Sequence, residues 1–333
     1  MMRKRGALVA VALLLTWVSL ASVAAGQSST FKLGGLSGTL GVREWFTTGY
    51  NEWSKASPPT VIPETRTPVG DKVDPLSVLR WRGIDSRVTE FNGELFWKRL
   101  GLLGTWAFGG IDEGVLIDED FDQSGFRARS SVTRSAVNND GLFRITADVA
   151  GRVFQWEGPL LGEKLPEAGQ RGYFDVILGY QWWHEKYEAF GATGTSQITF
   201  TQKVITHKYT WQNLRLGGRT AVPLVGALRF NAHIIWFPVG YYEQEDVHHL
   251  RTTFKQNPSS FAHSDDPSGY ELDSGFSWRL WKGLEAEAGY RYSRIDSGEG
   301  DDTLRFRRGQ FTSTLRDSTF ERYGPYIGVK YRW

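Results

Sequence analysis

The stretch GLEAEAGYRYSR (283–294) alternates without interruption: Leu284, Ala286, Ala288, Tyr290 and Tyr292 fall on one side, and Glu285, Glu287, Gly289, Arg291 and Ser293 on the other. A period of two is the signature of extended backbone, whose successive side chains point to opposite faces. LFRITADVAGRVF (142–154) repeats the pattern, with Phe143, Ile145, Ala147 and Val149 against Arg144, Thr146, Asp148 and Arg152. So does ALRFNAHIIW (227–236), with Leu228, Phe230, Ala232, Ile234 and Trp236 against Arg229, Asn231 and His233. In a soluble sandwich one face of each strand fills a core. Here the polar faces collect Arg, Glu, Asp and His, as expected of a polar lumen crossed by charge pairs.

Composition agrees. The chain holds 14 Trp, 13 Tyr, 20 Phe and 38 Gly, yet its mean hydropathy is only -0.37. Beyond the N-terminal segment no apolar run is long enough for a membrane helix, so abundant aromatics with a polar average point to an all-β, transmembrane antiparallel barrel. The N-terminus reads as a secretory signal: basic 1–5, apolar 6–20, and small residues at 22–26 for cleavage. The expected organisation is therefore a signal peptide over 1–26 and one outer-membrane barrel domain over 27–333. With no Cys, a disulfide framework, a thiolate metal site and a Cys nucleophile are all excluded. Basic residues are spread along lumen faces, so nucleic acid is not implied.

Turn signals divide the chain into about ten strands, near 33–49, 76–97, 101–117, 142–156, 172–190, 198–222, 227–242, 270–280, 284–295 and 320–333. KRLG, PLVG and WKG are tight, whereas 50–75, 118–141, 243–269 and 296–319 are long and polar. Short inner turns and long extracellular loops orient the barrel, with odd-numbered strands running outward; GPLLGEKLPEAGQ is an inner turn of unusual length. The closing GPYIGVKYRW (324–333) alternates Ile327, Val329, Tyr331 and Trp333. It looks like the signal that bacterial barrel-assembly machinery reads.

Two charged clusters remain. LIDEDFD (116–122) packs four carboxylates into seven residues, and YYEQEDVHHL (241–250) is the one other stretch with comparable chemistry. Each is placed at the outward end of a strand, on nearly opposite sides of a ten-stranded mouth. Spacing i, i+2 sends Asp118 and Asp120 to one face, and Asp246 and His248 to one face. Together they could hold a water between an acid pair and an Asp–His pair. The carboxylate neighbours are expected to raise the His248 pKa above about 6.5.

At this point the sequence resembles the omptin family of outer-membrane proteases. The resemblance is carried by LGGLSG (33–38), LRWRG (79–83), the Gly pair 109–110 followed by IDED, LGYQ (178–181), EDVHH (245–249) and YIGVKYRW (326–333). It implies a ten-stranded barrel and an aspartic-type endopeptidase cutting surface peptides or proteins. His248, oriented by Asp246, would deprotonate a water shared with Asp118, and Asp120 would support that carboxylate. No cofactor is implied beyond a lipopolysaccharide requirement for activity, with outer-membrane lipid as partner; Tyr180 fits the family's lipid contacts, but WWHEK after Gln181 departs from them. Val42 and Gln244 replace the acids of the family's specificity pocket, while Glu44, Glu243 and Glu245 lie one residue away, on the other face. The mouth acids nonetheless suggest attraction of cationic peptides.

His184, His207 and His233 read as lumen-facing polar residues, and His249 ranks second to His248 as base. A metal held by His248, His249 and nearby carboxylates stays open. The alternative function is a non-catalytic barrel, a small porin or an adhesin-like surface protein.

Overall fold

The computed structural model describes residues 36–57, 73–123, 125, 128–138, 140–158 and 171–333. The expected signal peptide, most of the loop over 50–75 and most of the long inner turn lie outside the described residues. The described residues form fourteen antiparallel strands and no helix. They are β1 (Leu36–Ala56), β2 (Ser77–Trp97), β3 (Leu100–Gln123), β4 (Ala128–Val137), β5 (Asp140–Glu157), β6 (Arg171–Gly194) and β7 (Ile198–Pro223). After them come β8 (Leu228–Phe237), β9 (Gly240–His248), β10 (Ser260–Ser264), β11 (Ser268–Trp281), β12 (Leu284–Asp296), β13 (Gly300–Phe306) and β14 (Gly309–Arg332).

Fourteen differs from the expected ten, and the pairings show why. The inner half of the wall closes through β1, β2, β3, β5, β6, β7, β8, β11, β12 and β14. The outer half closes through β1, β2, β3, β4, β6, β7, β9, β10, β13 and β14. Each is a ring of ten positions. Four wall positions are simply interrupted between the halves, two of them beside Pro238 and Pro267 and one at Gly298. Proline has no N–H to give the ladder and glycine weakens a strand interior, so pairing lapses there and resumes beyond.

The polar stretches expected as external loops are largely strand. β3 runs through Asp118 to Gln123, 243–269 holds the end of β9 and all of β10, and 296–319 holds the β13–β14 hairpin. These outer segments rise above the lipid, so their outward faces meet water and lose the apolar half of the alternation. On β3 the exposed aromatic residues end at Phe108, and beyond them the acidic Asp112 and Glu113 join Val115 on the exposed surface. Below that level the outward face carries Leu102, Trp106, Val149, Leu178, Ile234 and Phe276, each at least two-fifths exposed, as a lipid-facing band requires.

The lumen is filled. Its inner part is a charge network in which Arg291 donates to Glu90 (2.5 Å) and Asp273 (2.9 Å), Arg215 donates to Asp148 (2.8 Å), and Arg144 forms an ion pair with Glu271 (2.6 Å). Above it lies a layer the alternation did not foretell: Trp45, Trp81, Trp183, Tyr187, Tyr209, Trp211 and Phe320 point inward and are buried. Glu185 sits in this layer and accepts hydrogen bonds from Tyr187 (2.7 Å), Tyr209 (2.6 Å), Trp183 (2.9 Å) and Arg322 (2.5 Å). This aromatic layer is the floor of the outer mouth.

Candidate active site

β3 carries its buried Leu116 inward, and the two-residue period puts Asp118 and Asp120 on the same lumen-facing side. Glu119 points the other way and is held on the outer wall by Arg80 and Arg129. β9 turns Tyr242, Gln244, Asp246 and His248 inward, while Glu243, Glu245 and His249 face out. Glu245 lies 3.6 Å from Lys208, and His249 shares a 2.8 Å hydrogen bond with Thr206. His249 therefore faces away from the lumen. Of the acids that seemed to crowd the mouth, most lie on the outer surface.

The two clusters meet electrostatically across the mouth. Partial enclosure and the neighbouring Asp120 charge raise the Asp118 pKa to about 7, with Asp246 adding to the effect and Arg251 and Lys55 opposing it. His248 is affected by the same two cations. Burial is the largest cause of its shift, and with Arg251, Lys55 and His249 it outweighs Asp246, so the pKa falls to about 4. The expectation that carboxylates would raise it is overturned.

Asp246 itself is fixed, but not by His248. Its Oδ1 accepts from His207 Nδ1 at 2.6 Å, and its Oδ2 accepts from Gln244 Nε2 at 3.0 Å and Ser260 Oγ at 3.1 Å. The register explains it: in the ladders Asp246 is paired with His207 of β7 on one side and Ser260 of β10 on the other. Burial alone would favour the neutral acid. The His207, His248 and Ser260 contacts reverse that and lower the Asp246 pKa. Between Asp246 and His248 no hydrogen bond forms. The imidazole of His248 instead meets the Phe254 ring edge-on at 5.4 Å, and its backbone N–H donates to Ser259 Oγ at 3.0 Å.

His207 was read from the sequence only as a polar lumen residue. It is fully buried, its ring tilted against Trp81 at 5.2 Å and stacked on Tyr187 at 6.0 Å. Its position after Ile205 on the inward side of VITHKYTW was legible; its register opposite Asp246 was not. Lys55 and Arg251 were missed because both fell in stretches expected as loop. Lys55 is 3.2 Å from buried Asp302, and Arg251 is brought back to the site by the turn after β9, where its N–H donates to the His248 carbonyl (3.2 Å).

The structure corrects the specificity positions. Val42 pairs with Val329 and Phe91 in the inner half of the wall, far from the mouth, on the face opposite inward Arg43. Glu44 shares that outward face with Thr89, from which it accepts a hydrogen bond at 2.8 Å. Gln244 is committed, accepting from Tyr242 (2.8 Å) while donating to Asp246. Among the described residues no three His, Asp or Glu side chains converge as metal ligands, so His248, His249 and their neighbours form no chelate.

No protein-family model matches the chain. No curated protein matches it in sequence. Among solved structures it is similar to the outer membrane protease OmpT from Escherichia coli, with a TM-score of 0.66 and 12% identity over 92% of this chain and 99% of that one. The fold is an omptin-like outer-membrane barrel. A weaker likeness, at a TM-score of 0.33 and 12% identity, is to the translocator domain of autotransporter NalP from Neisseria meningitidis, covering 98% of this chain and 97% of that one.

Within that fold the mouth offers a base and an acid of inverted order. Neutral His248 can accept a proton at any pH above about 4, whereas Asp118 keeps one up to about 7. Pairs of titratable groups pushed apart in this way divide the acid and base roles between them. The two cations give the same space a means of holding developing negative charge.

Proposed function

We propose that this chain is an endopeptidase of the bacterial outer membrane, cutting peptides or proteins at the cell surface. The observation that carries the reading is the arrangement around Asp246: a carboxylate fixed by three donors, next to His248, in electrostatic contact with Asp118. Fixing a carboxylate so firmly beside an imidazole stabilises the imidazolium formed when His248 takes a proton.

In the proposed reaction a water between Asp118 and His248 attacks the scissile carbonyl carbon and gives its proton to His248. The carbonyl oxygen gains negative charge, which protonated Asp118 meets with a hydrogen bond and Lys55 and Arg251 meet with charge. The C–N bond then breaks, and His248 returns the proton to the departing nitrogen. Asp120 supports Asp118 by keeping its proton in place. No acyl-enzyme forms, since water attacks directly.

The acidic mouth supports a weaker substrate preference than the sequence suggested. Glu243 and Glu245 face outward, Glu119 is paired with arginines, and Lys55 and Arg251 face the site. Cationic peptides are drawn to the outer rim by charge that salt screens, without a dedicated pocket for Lys or Arg. A small pore is disfavoured because charge pairs and aromatic rings fill the lumen.

The test is incubation of the refolded barrel, in lipopolysaccharide micelles, with a mixed peptide library read by mass spectrometry. Endoproteolytic products that disappear with His248→Ala support the reading. An intact library, or one cut equally by His248→Ala, overturns it.

A further inference from the structure

At the opposite end from the candidate active site, the inner mouth encloses a recess of ≈ 480 Å³ whose charged lining is one-sided. Six cations face it, Lys98, Arg99, Arg152, Arg171, Arg229 and Arg332, against one acidic side chain, Glu94. Neighbouring carboxylates answer some of these charges. Arg152 is bound to Asp175 (2.8 Å), Arg171 pairs with Glu157 (2.9 Å), and Arg219 takes up Glu94 (2.8 Å).

Arg229 is different. It is 2% exposed, yet its Nε and Nη1 have no hydrogen-bond partner among the described residues. Beside it Arg332 has an unpartnered Nε and only a long 3.6 Å approach to Glu285, which Lys330 also engages at 3.7 Å. A buried guanidinium is costly unless something accepts its donors. The 35 residues ahead of β1 contain no Asp or Glu, so they bring no counter-charge to this end.

We propose that the recess binds a small phosphate monoester entering from the inner side of the membrane. A guanidinium fork matches phosphate oxygens two at a time, and two adjacent guanidiniums suit a dianion. The volume lies in the range of small-molecule sites, well above a bare phosphate, and Phe96, Tyr173 and Trp333 give it aromatic walls for the ester group. Arg152, Arg229 and Arg332 lie on the lumen side of the wall, which favours a soluble ligand over a lipid headgroup.

The experiment is titration calorimetry on the refolded full chain in non-ionic detergent, with phenyl phosphate and inorganic phosphate as probes. The expected result is saturable one-to-one binding of both, tighter for phenyl phosphate. Arg229→Gln should weaken binding by at least about tenfold, since a hydrogen bond to a charged group is worth about 1.5–3 kcal/mol. Lys208→Gln, on the outer wall beside Glu245 and away from the recess, should stay within about twofold. Arg332→Gln should lose affinity as Arg229→Gln does, and serves if the latter fails to fold. No saturable binding of either probe, or undiminished binding by both Arg229→Gln and Arg332→Gln, overturns the proposal. So does binding that appears only after Glu163→Gln and Glu167→Gln, because the inner turn would then supply the counter-charge itself.

Discussion

His207 Nδ1 lies 2.6 Å from Asp246 Oδ1, both side chains fully buried, and this contact makes His207 the residue that aims the Asp246 carboxylate. His207 is enclosed by Trp81, Tyr187 and Tyr209, so it lies below any bound peptide and acts through Asp246. Removing it with His207→Ala should lower kcat about 10- to 100-fold, as loss of an orienting partner does at other sites, with KM nearly unchanged. His207→Asn, which can still donate to Asp246, should recover part of the loss. Equal activity in all three proteins would reduce His207 to packing.

The pH dependence follows from two shifts of opposite sign. His248, lowered to about 4, is neutral and able to accept a proton above that value; Asp118, raised to about 7, keeps its proton below that one. Peptide hydrolysis should therefore rise through about pH 4, hold, and fall through about pH 7 in kcat/KM measured on free enzyme. An acid limb near 6.5 would mean that His248 is not desolvated in the working enzyme.

Gln244→Glu discriminates between a pocket and a brace. As a pocket residue, a new acid there should sharpen preference for Lys or Arg. In this structure Gln244 donates to Asp246 and accepts from Tyr242, so a carboxylate would face a carboxylate in a buried site. Activity on every substrate should drop at least about tenfold, without a gain in basic selectivity, in kcat/KM across a peptide panel.

The inner network should behave as structure. Arg291 joins Glu90 and Asp273. Arg291→Ala leaves those carboxylates without a shared cation and should cost about 3–5 kcal/mol of stability, seen as a lower urea midpoint for the barrel in micelles. A midpoint equal to wild type would show the network is dispensable.

The parts that were legible in the sequence are those under one physical constraint. Lipid on one side and polar groups on the other impose strict alternation, so Tyr290 is exposed and Arg291 buried as the pattern required. Same-face spacing likewise put Asp118 with Asp120, and Asp246 with His248. Above the lipid the constraint lapses, and β4, β10, β13 and the end of β9 read as loop. Cross-strand partners such as His207 and Ser260 depend on register between strands, and Lys55 and Arg251 on how outer segments fold back. Neither has a local signal. Val42 was misplaced for the same reason: a motif carried over along the chain fixes no height in the wall.

The central claim is that Asp118 and His248 act on one water. Rates for wild type, Asp118→Ala, His248→Ala and the double variant, each first shown to be folded, test it most directly with a peptide drawn from the library digest. Each single change should abolish most of kcat and the double change should add little, because groups that act as a unit lose their function together. Losses that multiply in the double variant, or a His248→Ala protein that cuts as wild type does, would contradict the account.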